Sequence, residues 1–118
     1  MGKRVLVVDD DPVIRLLITE YLSNFGHSVE VLDNGADCLE RLKGKLPDML
    51  VLDLQMPLMN GIQVLENLRN NPSTSDLPVI MLSANEESEN VAASSGETAA
   101  KFLQKPFNMK EILQMVEK

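Results

Sequence analysis

Five residues with polar chemistry stand directly behind short strand-like runs. Asp9 and Asp10 follow Val5-Leu6-Val7-Val8, and Asp53 follows Met49-Leu50-Val51-Leu52. Ser83 follows the run from Pro78 to Leu82, and Lys105 follows the stretch from Lys101 to Gln104. Carboxylates held a few ångströms apart repel one another strongly once desolvated, and a cation between them removes the conflict. A ligand set made only of oxygens selects a hard ion, Mg²⁺ above all, with Mn²⁺ as the alternative. Mg²⁺ needs only two or three carboxylates and a backbone carbonyl from the protein, which leaves positions open to a phosphoryl oxygen. Lys105 adds a positive charge and Ser83 a hydrogen-bond donor, so the set as a whole suits phosphoryl transfer. One of the carboxylates is then available as the nucleophile of an aspartyl phosphate.

These residues act together only if the elements that carry them end at one place. Val5 to Val8, Met49 to Leu52 and Pro78 to Leu82 read as strands buried on both faces, the pattern of a parallel sheet. Residues 28–32 alternate as a strand does, and Lys101 to Gln104 forms a short fifth strand. Helical spacing covers residues 13–25, with Val13, Ile14, Leu17, Ile18, Tyr21, Leu22 and Phe25 on one stripe. Asp10 or Asp11 caps this helix, Pro12 occupies its first turn and Gly26 closes it. Further helices are expected over Gly35 to Lys43 (Ala36, Leu39 and Leu42 inward), Gly61 to Asn70 (Ile62, Leu65 and Leu68 inward) and Asn108 to Glu117. A helix over residues 86–100 completes the alternation, although its polar start and Ser94-Ser95-Gly96 are weak helix formers. Five strands alternating with five helices give an α/β, flavodoxin-like fold: a doubly wound parallel sheet in the order 2-1-3-4-5. In such sheets the functional crevice lies outside the carboxyl ends of the strands, where all five polar residues fall.

Composition narrows the function classes. The chain has 118 residues, 44% of them hydrophobic, which suits one domain spanning 1–118. Its formal net charge of −7 argues against direct binding to nucleic acid. No apolar run is long enough for a membrane span or a signal peptide, so a cytoplasmic location is expected. Cys38 is the only cysteine, which excludes an intrachain disulfide and suits a small apolar filler. His27 is expected at a surface turn beside Gly26. The seven methionines are read as core and loop filler.

Four segments resemble the receiver domain of two-component response regulators, chemotaxis regulators among them, over essentially the whole chain. They are Val5-Leu6-Val7-Val8-Asp9-Asp10-Asp11, the loop from Asp53-Leu54-Gln55-Met56-Pro57 to Gly61, Met81-Leu82-Ser83-Ala84, and Phe102-Leu103-Gln104-Lys105-Pro106-Phe107. Their order and spacing match the family as well. The resemblance implies that Asp53 accepts a phosphoryl group from a phosphohistidine on a sensor kinase or phosphotransfer protein. It implies that Asp10, Asp53 and the backbone carbonyl of Gln55 hold Mg²⁺ directly and that Asp9 acts through water. Lys105 would pair with Asp53 at rest, behind a cis Lys105–Pro106 bond. Ser83 and Phe102 would carry the switch to a downstream protein through the face formed by the predicted fourth helix, the fifth strand and the last helix. Such a domain is a phosphoacceptor rather than an enzyme with turnover. It catalyses only its own phosphorylation and dephosphorylation. Thr98 departs from the family, whose members usually carry Gly there.

Two other readings compete. Asp9-Asp10-Asp11-Pro12-Val13 also fits the opening of haloacid-dehalogenase-like phosphatases, with Asp9 as nucleophile and Asp11 as general acid. Those enzymes need a further acidic pair after the lysine, where only Glu111 and Glu117 remain. A receiver-like module that binds partners without being phosphorylated is the other, and the intact acid set argues against it. The apolar stripe of the first helix is wider than the roughly 100° that core packing requires. Ile14 or Leu17 is therefore expected to face solvent in part and to dock a kinase or phosphotransfer protein.

Overall fold

The computed structural model describes residues 2–84 and 100–117. Five strands form one parallel sheet: β1 (Arg4–Val8), β2 (Ser28–Leu32), β3 (Met49–Asp53), β4 (Val79–Ser83) and β5 (Ala100–Gln104). Their order is β2-β1-β3-β4-β5, as the alternation of elements required. Four helices are described: α1 (Pro12–Asn24), α2 (Gly35–Arg41), α3 (Gly61–Arg69) and α4 (Met109–Glu117). Residues 85–99, where the helix starting near Glu86 is expected and where Gly96 and Thr98 fall, lie outside the described residues.

Strand residues alternate between two cores, which is why the central strands read as continuous apolar runs. On one face Val5, Val7, Val51, Ile80 and Leu82 pack against Ile18 and Leu22 of α1 and Ile112 and Val116 of α4. On the other, Leu6, Val8, Leu50, Leu52 and Met81 meet Cys38 and Leu42 from the α2 segment and Val64, Leu65 and Leu68 of α3. Burial pushes the Cys38 thiol up to about 12, so it stays protonated as an apolar filler.

Local chemistry sets the helix ends. The Asp11 carboxylate accepts from Val13 N–H and caps α1, with Pro12 at its first position. Gly26 follows the helix at φ +86°, a left-handed conformation that glycine adopts without strain. Asn60 and Gln63 close a reciprocal capping box at the start of α3.

The wide α1 stripe is only partly used, as expected, and two expectations about local packing are corrected. Only Ile18 and Leu22 of the α1 stripe are fully buried, and Val13 and Phe25 are exposed. The helix touches the sheet along a narrower strip than its apolar spacing offers. In α2, Ala36 is exposed and Cys38 takes the inward place. His27 is 7% exposed rather than at the surface. Its Nδ1 accepts the Lys3 N–H at 3.0 Å, so the ring proton sits on Nε2, which donates to Glu117 at 3.1 Å. The partners are 24 and 90 residues away in the chain, so no local pattern announces them.

Gly61 makes the closest approach near the crevice. A methyl group there would lie 2.6 Å from the Asp53 carbonyl oxygen and 2.8 Å from Leu54 Cα, both backbone atoms. Gly61 N–H also donates to the Leu54 carbonyl at 2.9 Å. Gly61→Ala is expected to push the start of α3 off β3 and cost about 2 kcal/mol in urea denaturation. A variant as stable as the wild type would show that the loop shifts freely.

Candidate functional site

The register of the parallel strands gathers the polar residues. Val8 lies beside Leu52, so Asp9 and Asp53 leave the sheet side by side. Asp53 itself lies beside Leu82, and Ser83 beside Gln104. Lys105 N–H then donates to the Ser83 carbonyl at 2.7 Å, fixing the turn out of β5. The Lys105–Pro106 bond is cis.

Carboxylate oxygens of Asp9, Asp10 and Asp53 lie within 4.8 Å of one another, with Asp9 and Asp53 buried and Asp10 exposed. The Lys105 ammonium bonds Asp9 Oδ2 at 3.1 Å and approaches Asp53 Oδ1 at 3.5 Å. The lysine thus pairs with Asp53, as the resemblance implied, and also with Asp9, to which it sits closer. The physical reason is that β1 and β3 are neighbours, so an ammonium reaching in from β5 meets both acids. Ser83 is fully buried at the end of β4. Gln55 is exposed, and its N–H donates to Asp53 Oδ1 at 3.2 Å.

Electrostatics at this cluster is unresolved by protein groups alone. Burial first, and then the charge on Asp9, push the Asp53 carboxyl up to about 7, against the opposing pull of Lys105. For Lys105, burial works against the charged form, but Asp53 and Asp9 outweigh it and hold the ammonium above its ordinary value. Three carboxylates against one ammonium leave an excess of negative charge that a divalent cation would cancel. The donor set fits that group: all ligands are hard oxygens, and exposed Asp10 keeps the approach open. Asp9, by contrast, has both carboxylate oxygens engaged, Oδ1 by Asp11 N–H and Oδ2 by Lys105.

Sequence spacing missed Arg15. Its Nη1 donates to the Asp9 carbonyl at 2.7 Å, reaching from the second turn of α1 to the acid cluster. A cation six residues beyond Asp9 on the adjoining helix is the only signal that could have suggested it. The remaining expected residues lie at the margin. Phe102 is half-buried on β5 against the α2–α3 side of the core. On α1, Leu17 is 44% exposed and Ile14 is half-buried.

An acidic crevice at the carboxyl ends of a 2-1-3-4-5 sheet defines the receiver class of signalling domain. The response regulator receiver domain family matches residues 5–117, and the chain belongs to that family. Among curated relatives, the response regulator MprA of Mycobacterium bovis is 37% identical over 113 residues, covering 96% of this chain and 48% of that protein. MprA of Mycobacterium avium is 37% identical over 110 residues, covering 93% and 47%. This chain thus spans about half the length of the curated relatives it matches. Among solved structures, the Francisella response regulator 1452 receiver domain superposes with a TM-score of 0.87 at 31% identity, covering 98% of this chain and 94% of that one. The chemotaxis response regulator CheY4 of Vibrio cholerae gives 0.89 at 26% identity, covering 99% and 98%. The protein is therefore a response-regulator receiver domain of two-component signalling. Receiver domains bind Mg²⁺ at an acidic pocket, and the three aspartates form such a pocket here.

Proposed function

We propose that this receiver accepts a phosphoryl group on Asp53 in a Mg²⁺-dependent step and signals to a protein partner by changing shape. The observation that carries the proposal is the buried Asp53 carboxylate set between Asp9, Asp10 and the Lys105 ammonium. Asp53 attacks the phosphorus of a phosphohistidine on a sensor histidine kinase or histidine phosphotransfer protein. The P–N bond breaks and the imidazole leaves with a proton from solvent. Asp10, Asp53 and the Gln55 carbonyl would hold Mg²⁺, with Asp9 acting through water. The ion, when bound, neutralises charge on the phosphoryl oxygens. Lys105 supplies the second positive charge and follows the phosphoryl oxygens once they arrive. The Ser83 hydroxyl donates to them, and the half-buried Phe102 ring moves into the space behind it. That motion passes to a face that includes β5 and α4; the fourth helix expected to complete it lies outside the described residues. The reaction is self-phosphorylation and self-dephosphorylation, without turnover of a separate substrate, in the cytoplasm. Among the described residues no helix is long and apolar enough to cross a membrane.

The test is incubation with phosphoramidate and Mg²⁺, followed by mapping of the labelled residue. Label on Asp53, lost with EDTA, is expected. Label on Asp9 would favour the phosphatase reading, and absence of label a module that only binds partners.

Ile14 and Leu17 are the proposed docking residues. Leu17→Ala is expected to slow transfer from a phosphorylated phosphotransfer protein about tenfold, the effect of losing one good apolar anchor. Labelling by phosphoramidate should stay unchanged. Equal slowing with both donors would place Leu17 in the fold rather than in docking.

A further inference from the structure

Asp9 is held at every polar atom. Its N–H donates to the Leu32 carbonyl at 3.2 Å, and its Oδ1 accepts from Asp11 N–H at 2.9 Å. Its Oδ2 accepts from Lys105 Nζ at 3.1 Å, and its carbonyl accepts from Arg15 Nη1 at 2.7 Å. The first three bonds hold the residue and its side chain. The fourth differs, because it grips the peptide that joins Asp9 to Asp10. A peptide is planar, so fixing its carbonyl fixes the direction in which Asp10 leaves the strand. Asp10 is the exposed member of the acid cluster, and among the described residues the turn gives its carboxylate no hydrogen bond.

Arg15 is suited to the task. A charged guanidinium donating at 2.7 Å makes a strong, directional bond, and its stem is anchored on a helix whose start is capped by Asp11. Its charge also lies against a cluster that carries excess negative charge. Residues 16 and 17, next to it on α1, are both exposed leucines. A contact made on that surface therefore lies within two residues of a group bonded to the acid turn.

We infer that Arg15 is a positioning residue for the Mg²⁺ site: by holding the Asp9 carbonyl it aims the Asp10 carboxylate. The inference rests on the proposed Mg²⁺ role of the acid cluster. It adds that the cluster is assembled by α1 as well as by the strand ends.

The test is Mg²⁺ titration followed by amide NMR, without any phosphodonor, on the wild type, Arg15→Met and Arg15→Lys. Arg15→Met keeps an apolar stem and removes the donor. It is expected to bind Mg²⁺ about tenfold more weakly, as loss of an outer-shell partner does. Its Asp10 and Asp11 amide resonances should already be displaced before metal is added. Arg15→Lys, with its charge and donors on a single nitrogen, should recover most of the affinity, which a packing defect would not allow. Wild-type affinity in Arg15→Met, within about twofold, overturns the inference and leaves the Mg²⁺ reading standing. A wild type that shows no saturable Mg²⁺ shifts overturns that reading, and the inference with it.

Discussion

Asp53→Asn is expected to abolish phosphoryl uptake and, at the same time, to make the metal-free protein more stable. The two effects share one cause. Asp53 is 3% exposed and lies beside Asp9, so its ionised form is costly, and its pKa rises to about 7. An acid whose folded pKa lies above its unfolded value stabilises the fold most when protonated. Its contribution is greatest below the unfolded value of 3.8 and is lost as pH climbs to about 7. Above that, the wild type carries a penalty on the order of 2 kcal/mol that asparagine, always neutral, avoids. The asparagine oxygen still accepts the Gln55 N–H, so the loop keeps its bond. Urea denaturation of metal-free protein at about pH 8 should therefore favour the variant, and the gap should close near about pH 4. Adding Mg²⁺ should stabilise the wild type more than the variant, because the ion relieves the repulsion only where the charge exists. Phosphoramidate labelling of the variant should fall to background. Labelling of Asp53→Asn at the wild-type rate would remove Asp53 as the acceptor. A variant less stable than the wild type at every pH would mean that the carboxylate is held by its partners rather than strained.

Lys105→Met is expected to be the most destabilising single change at the site. The ammonium is the counter-charge for two buried carboxylates, at 3.1 Å from Asp9 and 3.5 Å from Asp53. Removing one partner of a buried pair leaves an uncompensated charge, which costs about 3 kcal/mol or more. The loss depends on pH. Without Lys105 the Asp53 carboxyl moves still higher, because the one group that lowered it strongly is gone. The destabilisation should be fully present at about pH 8 and smaller at about pH 5, where Asp53 takes up a proton. Saturating Mg²⁺ should recover part of it. Phosphoryl uptake should fall by about two orders of magnitude, the scale of losing one preorganised group at a developing charge. Equal stability of variant and wild type across this pH range would show that solvent, not Lys105, balances the acids.

Much of this site was legible in the residue pattern. Apolar runs of four or five residues that end in Asp9, Asp53 and Ser83 mark strands buried on both faces. Parallel strands with helical crossovers leave little choice about where their carboxyl ends point. The cap at Asp11 and the turn at Gly26 follow from propensities acting within a few residues. What escaped that reading depends on partners far apart in the chain. His27 looked like a turn residue, and only the meeting of Lys3 and Glu117 around it makes it interior. The wide apolar stripe of α1 announced that Ile14 or Leu17 would face solvent in part, as Leu17 does, but not which residues touch the sheet, where packing buried Ile18 and Leu22. Lys105 could be matched to the acids but not to Asp9 ahead of Asp53, since that choice is a matter of tenths of an ångström between neighbouring strands. Arg15 carried no motif at all. Periodicity and spacing report forces that act along the chain, whereas side-chain partners are chosen by distances across it, and those exist only once the sheet has closed.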